Sequence, residues 1–283
     1  MEVIKNIYFC YKQTQMLKVY IKKIFLFCRL LPIVEKVNFQ RAKLINLKKN
    51  RNFSFENPTI ILPPDYYMYE TFALDYHKIY YGGLETAEWV TNHFKNHFEF
   101  KNKKILDWGC GSGRIIRHIS TFIDNSNSII GTDYNLKYTT WCKENTKNVT
   151  INNNELTPPL KYKNSSFDAI YGISIVTHLS EKMHHLWLEE LHRTLKKGGF
   201  LLLTTHGTCF KTKLTQKEQQ LFDTGFLIEH KYRIEGNRLF ASYQSPKFFT
   251  KICLEKGFKI VKHEKGNIAN NKAQQDVWIL QKN

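Results

Sequence analysis

The sequence predicts an α/β fold built on a doubly wound, mostly parallel sheet. Three observations support this fold class. A largely apolar strand, Ile105–Trp108, runs into a glycine-rich turn, and a helix is expected to open at Arg114. Short apolar runs then alternate with helical patterns, which is the order expected for βαβ units. A chain of 283 residues is long enough for one well-buried domain with an appended arm.

The turn after the first strand carries glycine at every second position, namely Gly109, Gly111 and Gly113. This spacing lets the backbone bend sharply and approach a ligand with no Cβ in the way. Asp107 stands two residues before the first glycine. A carboxylate there would repel a pyrophosphate and attract a cation. The turn therefore predicts a site for a cationic ligand.

A helix over Arg114–Thr121 and a second strand over Ser128–Asp133 are expected next. Asp133 ends that strand twenty residues after Gly113. In a doubly wound sheet, an acidic residue at this position can accept hydrogen bonds from ribose hydroxyls. Asp133 is therefore the candidate ribose ligand.

The rest of the sheet follows from the same alternation of patterns. Further helices are expected at Leu136–Asn145, Trp187–Lys197 and Ser245–Gly257. Further strands are expected at Val149–Asn153, from Phe167, and at Phe200–Thr205, Phe258–His263 and Gln275–Gln281. Between His206 and Tyr243 the chain predicts an insertion with a hairpin of Phe226–Arg233 and Arg238–Tyr243.

Four segments in this order resemble the motifs of the class I S-adenosylmethionine-dependent methyltransferases. They are ILDWGCGSGR, SIIGTD, FDAIYGISIVTHLS and LHRTLKKGGFLLLTTHG. The resemblance covers roughly residues 103–283. It implies a Rossmann-like seven-stranded sheet that closes with an antiparallel hairpin, S-adenosylmethionine as cofactor, and methyl transfer as the reaction.

The resemblance also implies which residues contact the cofactor. They come from the glycine turn, the end of the second strand, the loop after the third and the end of the fourth. Which of residues 154–156 meets the adenine stays open, because the match there is loose. The candidates are Asp107, Gly109, Cys110, Gly111, Gly113, Arg114, Asp133, Tyr134, Asn154, Glu155, Leu156 and Ser174.

Two histidines follow strands at the expected cofactor edge. His178 comes after the fourth strand and His206 after the fifth. A hydroxyl acceptor benefits from a general base, and histidine suits neutral pH. We expect His178 to be the base, because the resemblance implies catalytic groups in the loop after the fourth strand. His206 is the second candidate, and the alternative for His178 is a structural role in that loop.

The net charge of +17 is concentrated near the start of the chain. Residues 1–55 hold twelve Lys or Arg and two acidic residues. Residues 16–31 predict a basic amphipathic helix that ends at Pro32, and it is too often interrupted by charges to cross a membrane. Such a helix suits peripheral contact with a membrane surface. The alternative is packing on the domain or on a second subunit, and the oligomeric state stays open.

The chain accordingly divides into a basic helical arm (1–55), an aromatic-rich cap (56–100) and a methyltransferase domain (101–283). The insertion, residues 207–244, is placed on the acceptor side of the domain. Six scattered cysteines with no CxxC pair predict reduced thiols and a cytoplasmic protein. His185, Glu189 and His192 have a metal-like spacing but no evident ligand from a second element, so no metal site is expected.

Motifs that the chain lacks narrow the possible classes of methyl acceptor. The fourth strand ends in GISIV and lacks the Asn/Asp-Pro-Pro-aromatic motif of enzymes that methylate amino groups of nucleic acids or glutamine. There is also no Pro-Cys nucleophile, which argues against cytosine-C5 methylation. A glycan or another small molecule is therefore the expected acceptor, and similarity to methyltransferases of polysaccharide synthesis favours a sugar hydroxyl. RNA methylation, a lipid- or quinone-type acceptor and an inactive binding protein remain alternatives. An RNA enzyme is disfavoured because the arm's lysines alternate with bulky aliphatics.

Overall fold

The structure is a computed structural model that describes residues 31–269 and 272–283. The helix predicted over residues 16–31, and with it the predicted membrane contact, lies outside this range except for Leu31. In chain order the elements are α1 (Leu31–Glu56), α2 (Asp65–Thr71), α3 (Tyr76–Lys95), β1 (Lys104–Trp108), α4 (Ile116–Ile119), β2 (Ser128–Asp133), α5 (Leu136–Asn145), β3 (Thr150–Asn153), β4 (Phe167–Gly172), α6 (Glu181–Thr194), β5 (Leu195–Thr205), α7 (Gln216–Thr224), β6 (Ile228–Lys231), β7 (Phe240–Tyr243), α8 (Pro246–Glu255), β8 (Phe258–Glu264), β9 (Ile268–Ala269), β10 (Lys272–Ala273) and β11 (Asp276–Lys282).

Seven strands form one sheet in the order β3-β2-β1-β4-β5-β11-β8. β1 to β5 run parallel, and β11 pairs antiparallel with both β5 and β8. The predicted doubly wound, Rossmann-like sheet with a closing antiparallel hairpin is therefore confirmed. The strand order reverses between β1 and β4, and ligands of such sheets bind beyond the carboxyl ends of the strands at that point.

Apolar side chains on the two faces of the sheet fill two core clusters. One cluster includes Leu106, Ile170 and Trp278 under α6 and α8, and the other includes Ile105, Ala169 and Ile279 under α3 and α4. Successive residues of β1 and of β4 thus point to opposite faces, as the period of a strand requires. Because helices cover both faces, the carboxyl ends of the strands are the expected place for a binding site.

The helices before the sheet form a cap. α1 packs on α2 and α3 through Phe39, Ala42 and Phe53. The Asp75 side chain caps α3 by accepting from Lys78 N, and it pairs with Lys49 of α1 at 2.7 Å. The three cap helices are therefore joined to one another by both apolar contacts and hydrogen bonds.

Several predicted boundaries need correction. Pro32 lies within α1 and does not end helical structure there; proline is tolerated in a first turn, where its missing N–H removes no helix bond. The helix after the glycine turn is short, Ile116–Ile119. The stretch from Lys196 to Gly199 belongs to β5, and α6 ends earlier, at Thr194.

The insertion after β5 contains the predicted hairpin, shortened to β6 and β7, which pair antiparallel. A 3₁₀ turn over Thr208–Lys213 and α7 precede it. The loop between β6 and β7 folds back over the sheet edge, where Gly236 N donates to the carbonyl oxygen of His178 at 2.9 Å. In the described part of the chain, no helix is long and apolar enough to cross a membrane.

Candidate functional site

A cavity of about 600 Å³ lies at the carboxyl ends of β1, β2 and β4. Its floor is the turn after β1, and its cover comes from α2, α3 and the β6–β7 loop. Twelve predicted site residues line it: Asp107, Gly109, Cys110, Gly111, Arg114, Asp133, Tyr134, Asn154, Glu155, Leu156, Ser174 and His178. The structure therefore brings together residues that are up to 71 positions apart in sequence.

The glycines of the turn have distinct roles. Gly109, Gly111 and Gly113 all have positive φ, which favours glycine. A Cβ on Gly109 would lie 2.2 Å from Ile175 Cδ1, and one on Gly113 would lie 2.6 Å from Cys142 Sγ. A Cβ on Gly111 would meet only Thr71 Cγ2, at 3.7 Å, and would project into space the cavity provides. Gly111 thus keeps the floor open, whereas Gly113, which does not line the cavity, serves packing.

Asp133 holds the glycine turn in place. Its Oδ2 accepts from Gly111 N at 3.0 Å and its Oδ1 accepts from Asn135 N at 2.8 Å. Burial raises the pKa of this carboxyl to about 6, and the two backbone donors oppose the rise. The side chain lines the cavity while anchoring its floor, which fits the predicted contact to a ribose.

Asp107 is a buried carboxyl with unused hydrogen-bonding capacity. Its Oδ2 and the nearby Tyr171 hydroxyl are both buried without a partner among residues 31–269 and 272–283. Burial raises the pKa of Asp107 to about 7; the Tyr171 hydroxyl beside it and Arg114 oppose the rise, and the Asp133 carboxylate adds to it. A cationic ligand would relieve this unfavourable state, because it compensates the carboxylate charge that burial penalises.

Arg114 supplies the opposite charge beside Asp107. Its Nη1 donates to Gly82 O at 3.3 Å and to Thr86 Oγ1 at 3.2 Å, and its Cζ lies 4.3 Å from the centre of the Phe72 ring. Burial lowers its pKa to about 10, so it stays charged at neutral pH. A carboxyl and a guanidinium at one end of a cavity match a zwitterionic amino-acid group such as the methionine part of S-adenosylmethionine.

The other end of the cavity has apolar walls. A Cβ on Gly236 would lie 2.9 Å from Leu156 Cδ1 and 3.0 Å from the Tyr134 ring. Trp187 Nε1 donates to Leu156 O at 3.1 Å and so fixes this wall. The Asn154 side chain is already hydrogen-bonded within the protein, since its Oδ1 accepts from Thr132 Oγ1 at 2.6 Å. Leu156 and Tyr134 are therefore the better candidates for contact with an adenine face.

His178 lines the cavity from the 3₁₀ turn Val176–His178, which follows β4. Its Nδ1 lies 2.7 Å from Phe240 O. Since a carbonyl only accepts, Nδ1 carries the proton and Nε2 presents a lone pair. Burial lowers the pKa of His178 below its usual 6.5, so the ring is neutral at pH 7. This is the protonation state that a general base needs.

Ser174 lies between the cofactor turn and His178 in a strained backbone conformation. It is a non-glycine residue with φ of 63°. Its N donates to Thr204 Oγ1 at 2.8 Å, and its hydroxyl donates to Gln275 Oε1 at 2.8 Å. Strained residues held by surrounding bonds are typical of functional loops.

His206, the second candidate for the base, is not among the residues that line the cavity. Its ring is stacked on Phe210 at 4.2 Å and on Tyr243 at 5.3 Å, and its Nδ1 lies 3.0 Å from Ser242 O. Burial lowers its pKa to about 3. The His206 ring thus packs among aromatic side chains of the insertion that follows β5. Its position at the end of a strand does not by itself bring it to the cavity.

The cover of the cavity was largely missed from the sequence. Tyr138 donates to the Glu70 carboxylate, which ties α2 to α5 over the cavity. Arg238 of the β6–β7 loop forms an ion pair with Glu35 of α1 and lies over the Tyr69 ring at 4.3 Å. A second cavity of about 360 Å³ lies between α1, α2 and this loop and shares Glu70, Asn237 and Arg238 with the first. The aromatic composition of the cap was the one sequence feature that could have indicated this cover. The pairing of Glu35 with Arg238, 203 positions apart, leaves no pattern in the sequence.

Residues 105–199 match the model of a family described as a methyltransferase domain. The matched range covers the glycine turn, Asp107, Asp133 and His178. The part of the chain that forms the cavity floor is therefore similar to a methyltransferase domain.

Two sequence relatives extend the match. A protein of Encephalitozoon cuniculi that carries a methyltransferase name is 24% identical over 176 residues, which is 62% of this chain and 79% of that protein. The tRNA N(3)-methylcytidine methyltransferase of Schizosaccharomyces pombe is 29% identical over 180 residues, which is 60% of this chain and 56% of that protein. The chain thus matches little more than half the length of the second relative.

A solved structure confirms the fold. An S-adenosylmethionine-dependent methyltransferase from Mesorhizobium loti superimposes with a TM-score of 0.55 at 14% identity, covering 69% of this chain and 98% of that one. The fold is therefore that of S-adenosylmethionine-dependent methyltransferases, and the residues that line the larger cavity fit that cofactor. Among the described residues, no group of three or more His, Cys, Asp or Glu side chains could hold a metal ion.

Proposed function

We propose that this methyltransferase transfers a methyl group to a sugar hydroxyl of a glycan or glycolipid, with His178 as the general base. The observation that carries the proposal is the fixed tautomer of His178, whose unprotonated Nε2 is left without a hydrogen-bond partner within the described ranges. A hydroxyl gains from removal of its proton during methylation, and a positioned base contributes typically 10²–10⁴-fold, roughly.

Binding and orientation come from the residues of the larger cavity. Asp107 and Arg114 would hold the charged amino-acid end of the cofactor, Asp133 the ribose, and Tyr134 with Leu156 the adenine. S-adenosylmethionine supplies an electrophilic methyl group when bound. The chain contributes by excluding water beneath the cap and by keeping the acceptor at near-attack distance from that methyl group.

The second cavity supports a separate place for the acceptor. It adjoins the larger cavity, and its walls include the half-exposed Tyr66 ring and the basic residues Lys36 and Arg233. Exposed aromatic rings offer stacking surfaces for sugars. An acceptor placed here would leave the cofactor residues unobstructed.

RNA methylation is the second candidate, and two observations favour it. One sequence relative bears the name of a tRNA methyltransferase. The net charge of +17 also suits a polyanionic partner. In this case the same His178 would face a base or ribose atom of the RNA.

The test is methyl transfer from labelled S-adenosylmethionine to separate fractions of glycolipid, free glycan and RNA, using the full chain. We expect label in a glycan-containing fraction. His178→Gln should leave cofactor affinity within a few-fold and lower turnover by about a hundredfold or more. His206→Phe, which keeps the stack on Phe210, is the matched control and should retain turnover.

Label confined to RNA would replace the glycan proposal with the second candidate. Equal loss of cofactor binding and turnover in His178→Gln would refute the role of His178 as base, since a base that acts only on the acceptor leaves cofactor binding intact. Full turnover in the same variant would refute it equally.

A further inference from the structure

The outer face of α1 combines exposed apolar and basic side chains. At 3.6 residues per turn, Ile33, Val37, Arg41, Leu44, Lys48, Arg51 and Phe55 fall within an arc of about 80°. The four apolar members are 60%, 60%, 72% and 89% exposed, in chain order. The stripe, here called the outer face, runs for about 33 Å along the helix. Isolated exposed apolar residues are ordinary, but an aligned row of this length indicates an interaction surface.

The orientation of this face is fixed by what lies opposite it. Phe39, Ala42 and Phe53 pack inward on the cap. Lys43 pairs with Asp65 at 3.1 Å, and Asn50 Oδ1 accepts from Tyr76 N at 3.0 Å. Helix α1 therefore cannot rotate to bury the outer face without breaking these contacts.

The charge of the outer face determines which kind of partner can cover it. Arg41, Lys48 and Arg51 have no ion-pair partner among the residues the structure describes, and no acidic residue falls within the arc. Residues 1–30 carry six basic residues and one acidic residue, so covering the face with that segment would bring like charges together. A second copy placed face to face would do the same. The complementary partner is a polyanionic surface.

The apolar residues of the outer face distinguish between the two possible polyanionic partners, a nucleic acid and an anionic lipid bilayer. Nucleic acid phosphates would pair with the three basic side chains but would leave Ile33, Leu44 and Phe55 in water. A lipid bilayer accepts both, because apolar side chains enter the headgroup boundary while Lys and Arg contact anionic headgroups.

We propose that the outer face of α1 docks on an anionic lipid bilayer, with the helix lying in the plane of the interface. The β6–β7 loop and the second cavity lie on the other side of α1, since Glu35, which pairs with Arg238, is on the helix side opposite the outer face. The proposal is independent of the acceptor, because docking is measured without turnover.

The test is flotation of the full chain with vesicles of phosphatidylcholine alone and of equal parts phosphatidylcholine and phosphatidylglycerol. Binding is expected to the anionic vesicles and to fall with added salt. Each basic residue near such a surface changes partitioning by about five-fold. The triple variant Arg41→Gln, Lys48→Gln, Arg51→Gln should therefore lose on the order of a hundredfold.

A second variant tests the apolar part. Leu44→Ser with Phe55→Ser should weaken vesicle binding at least ten-fold, roughly, through lost apolar burial. The matched control is the triple variant Lys101→Gln, Lys161→Gln, Lys163→Gln, which removes the same charge from exposed residues elsewhere. It should bind as the unmodified chain does, apart from a small long-range charge effect.

Other outcomes would overturn the proposal. Vesicle binding that survives both outer-face variants would assign it to another segment, such as residues 1–30. Binding of a single-stranded oligonucleotide that the basic variant abolishes and the apolar variant spares, without vesicle binding, would identify a nucleic acid surface. A dimer in solution that the apolar variant dissociates would show that the face is an interface between two copies.

Discussion

Replacement of Asp107 by asparagine should stabilise the cofactor-free protein while weakening cofactor binding. The folded protein raises the pKa of this carboxyl from 3.8 to about 7, mainly through burial. Above pH 7 the ionised form is therefore disfavoured in the folded state by about 4 kcal/mol, an upper bound from three pKa units at 1.36 kcal/mol each. An asparagine carries no charge and avoids this cost.

Because the pKa of Asp107 is raised, the stability gained by the Asp107→Asn variant should increase with pH. A raised carboxyl pKa means that the folded state binds more protons than the unfolded state between about pH 3.8 and pH 7. The cost grows across that window and is fully present above it. The gap in unfolding free energy between Asp107→Asn and the unmodified chain should therefore widen by about 2–3 kcal/mol from about pH 5 to about pH 8.

The assay is urea denaturation at those two pH values, followed by titration with S-adenosylmethionine. The variant loses the carboxylate that would face the cofactor's cationic part, so its affinity should fall by on the order of a hundredfold. Asp133→Asn is the control: both Asp133 oxygens accept backbone N–H bonds, and an amide nitrogen would face one of these donors. That variant should gain no stability, although burial also raises the pKa of the Asp133 carboxyl in the unmodified chain, to about 6. A gap for Asp107→Asn that stays constant with pH would refute the reasoning.

Three further predictions follow from the same cavity. Cofactor affinity should weaken up to about tenfold per pH unit below pH 7, as Asp107 gains a proton, and should level off above it; calorimetry that finds a constant affinity between about pH 5 and pH 8 contradicts this. Gly236→Ala should raise the cofactor dissociation constant by about tenfold, since its Cβ would lie 2.9 Å from Leu156, whereas Gly198→Ala, with similar φ and nothing within 4 Å, should not change it. Turnover at saturating cofactor should fall only below about pH 6.5, because the His178 pKa lies beneath that value; an acid limb above pH 7 would show that another group is titrating.

Local chemistry explains why the sheet and the residues at its carboxyl edge were predictable. The glycine turn, Asp107 and Asp133 lie at strand ends, and the alternation of apolar runs fixes where strands end. β2 and α5 have the predicted bounds. The end of α6 was misplaced because Leu195 already pairs with Phe167 of β4, and Lys196–Gly199 forms the irregularity of β5 before Phe200 pairs with Ala169.

Contacts between distant segments explain what the sequence did not reveal. His178 and His206 both follow parallel strands of the sheet, but His178 lines the cavity whereas the His206 ring stacks on Phe210 and Tyr243. The Glu35–Arg238 pair likewise depends on the folded cap and insertion. Neither arrangement leaves a periodic or motif signal along the chain.

Calorimetric titration of the full chain with S-adenosylmethionine, beside Asp133→Ala, tests the central claim most directly. We expect a micromolar dissociation constant, corresponding to about −8 kcal/mol, and severe loss of binding in the variant. The loss follows because Asp133 both faces the cavity and anchors Gly111. No binding at millimolar cofactor, or equal affinity in the variant, would contradict the claim that this cavity is the cofactor site.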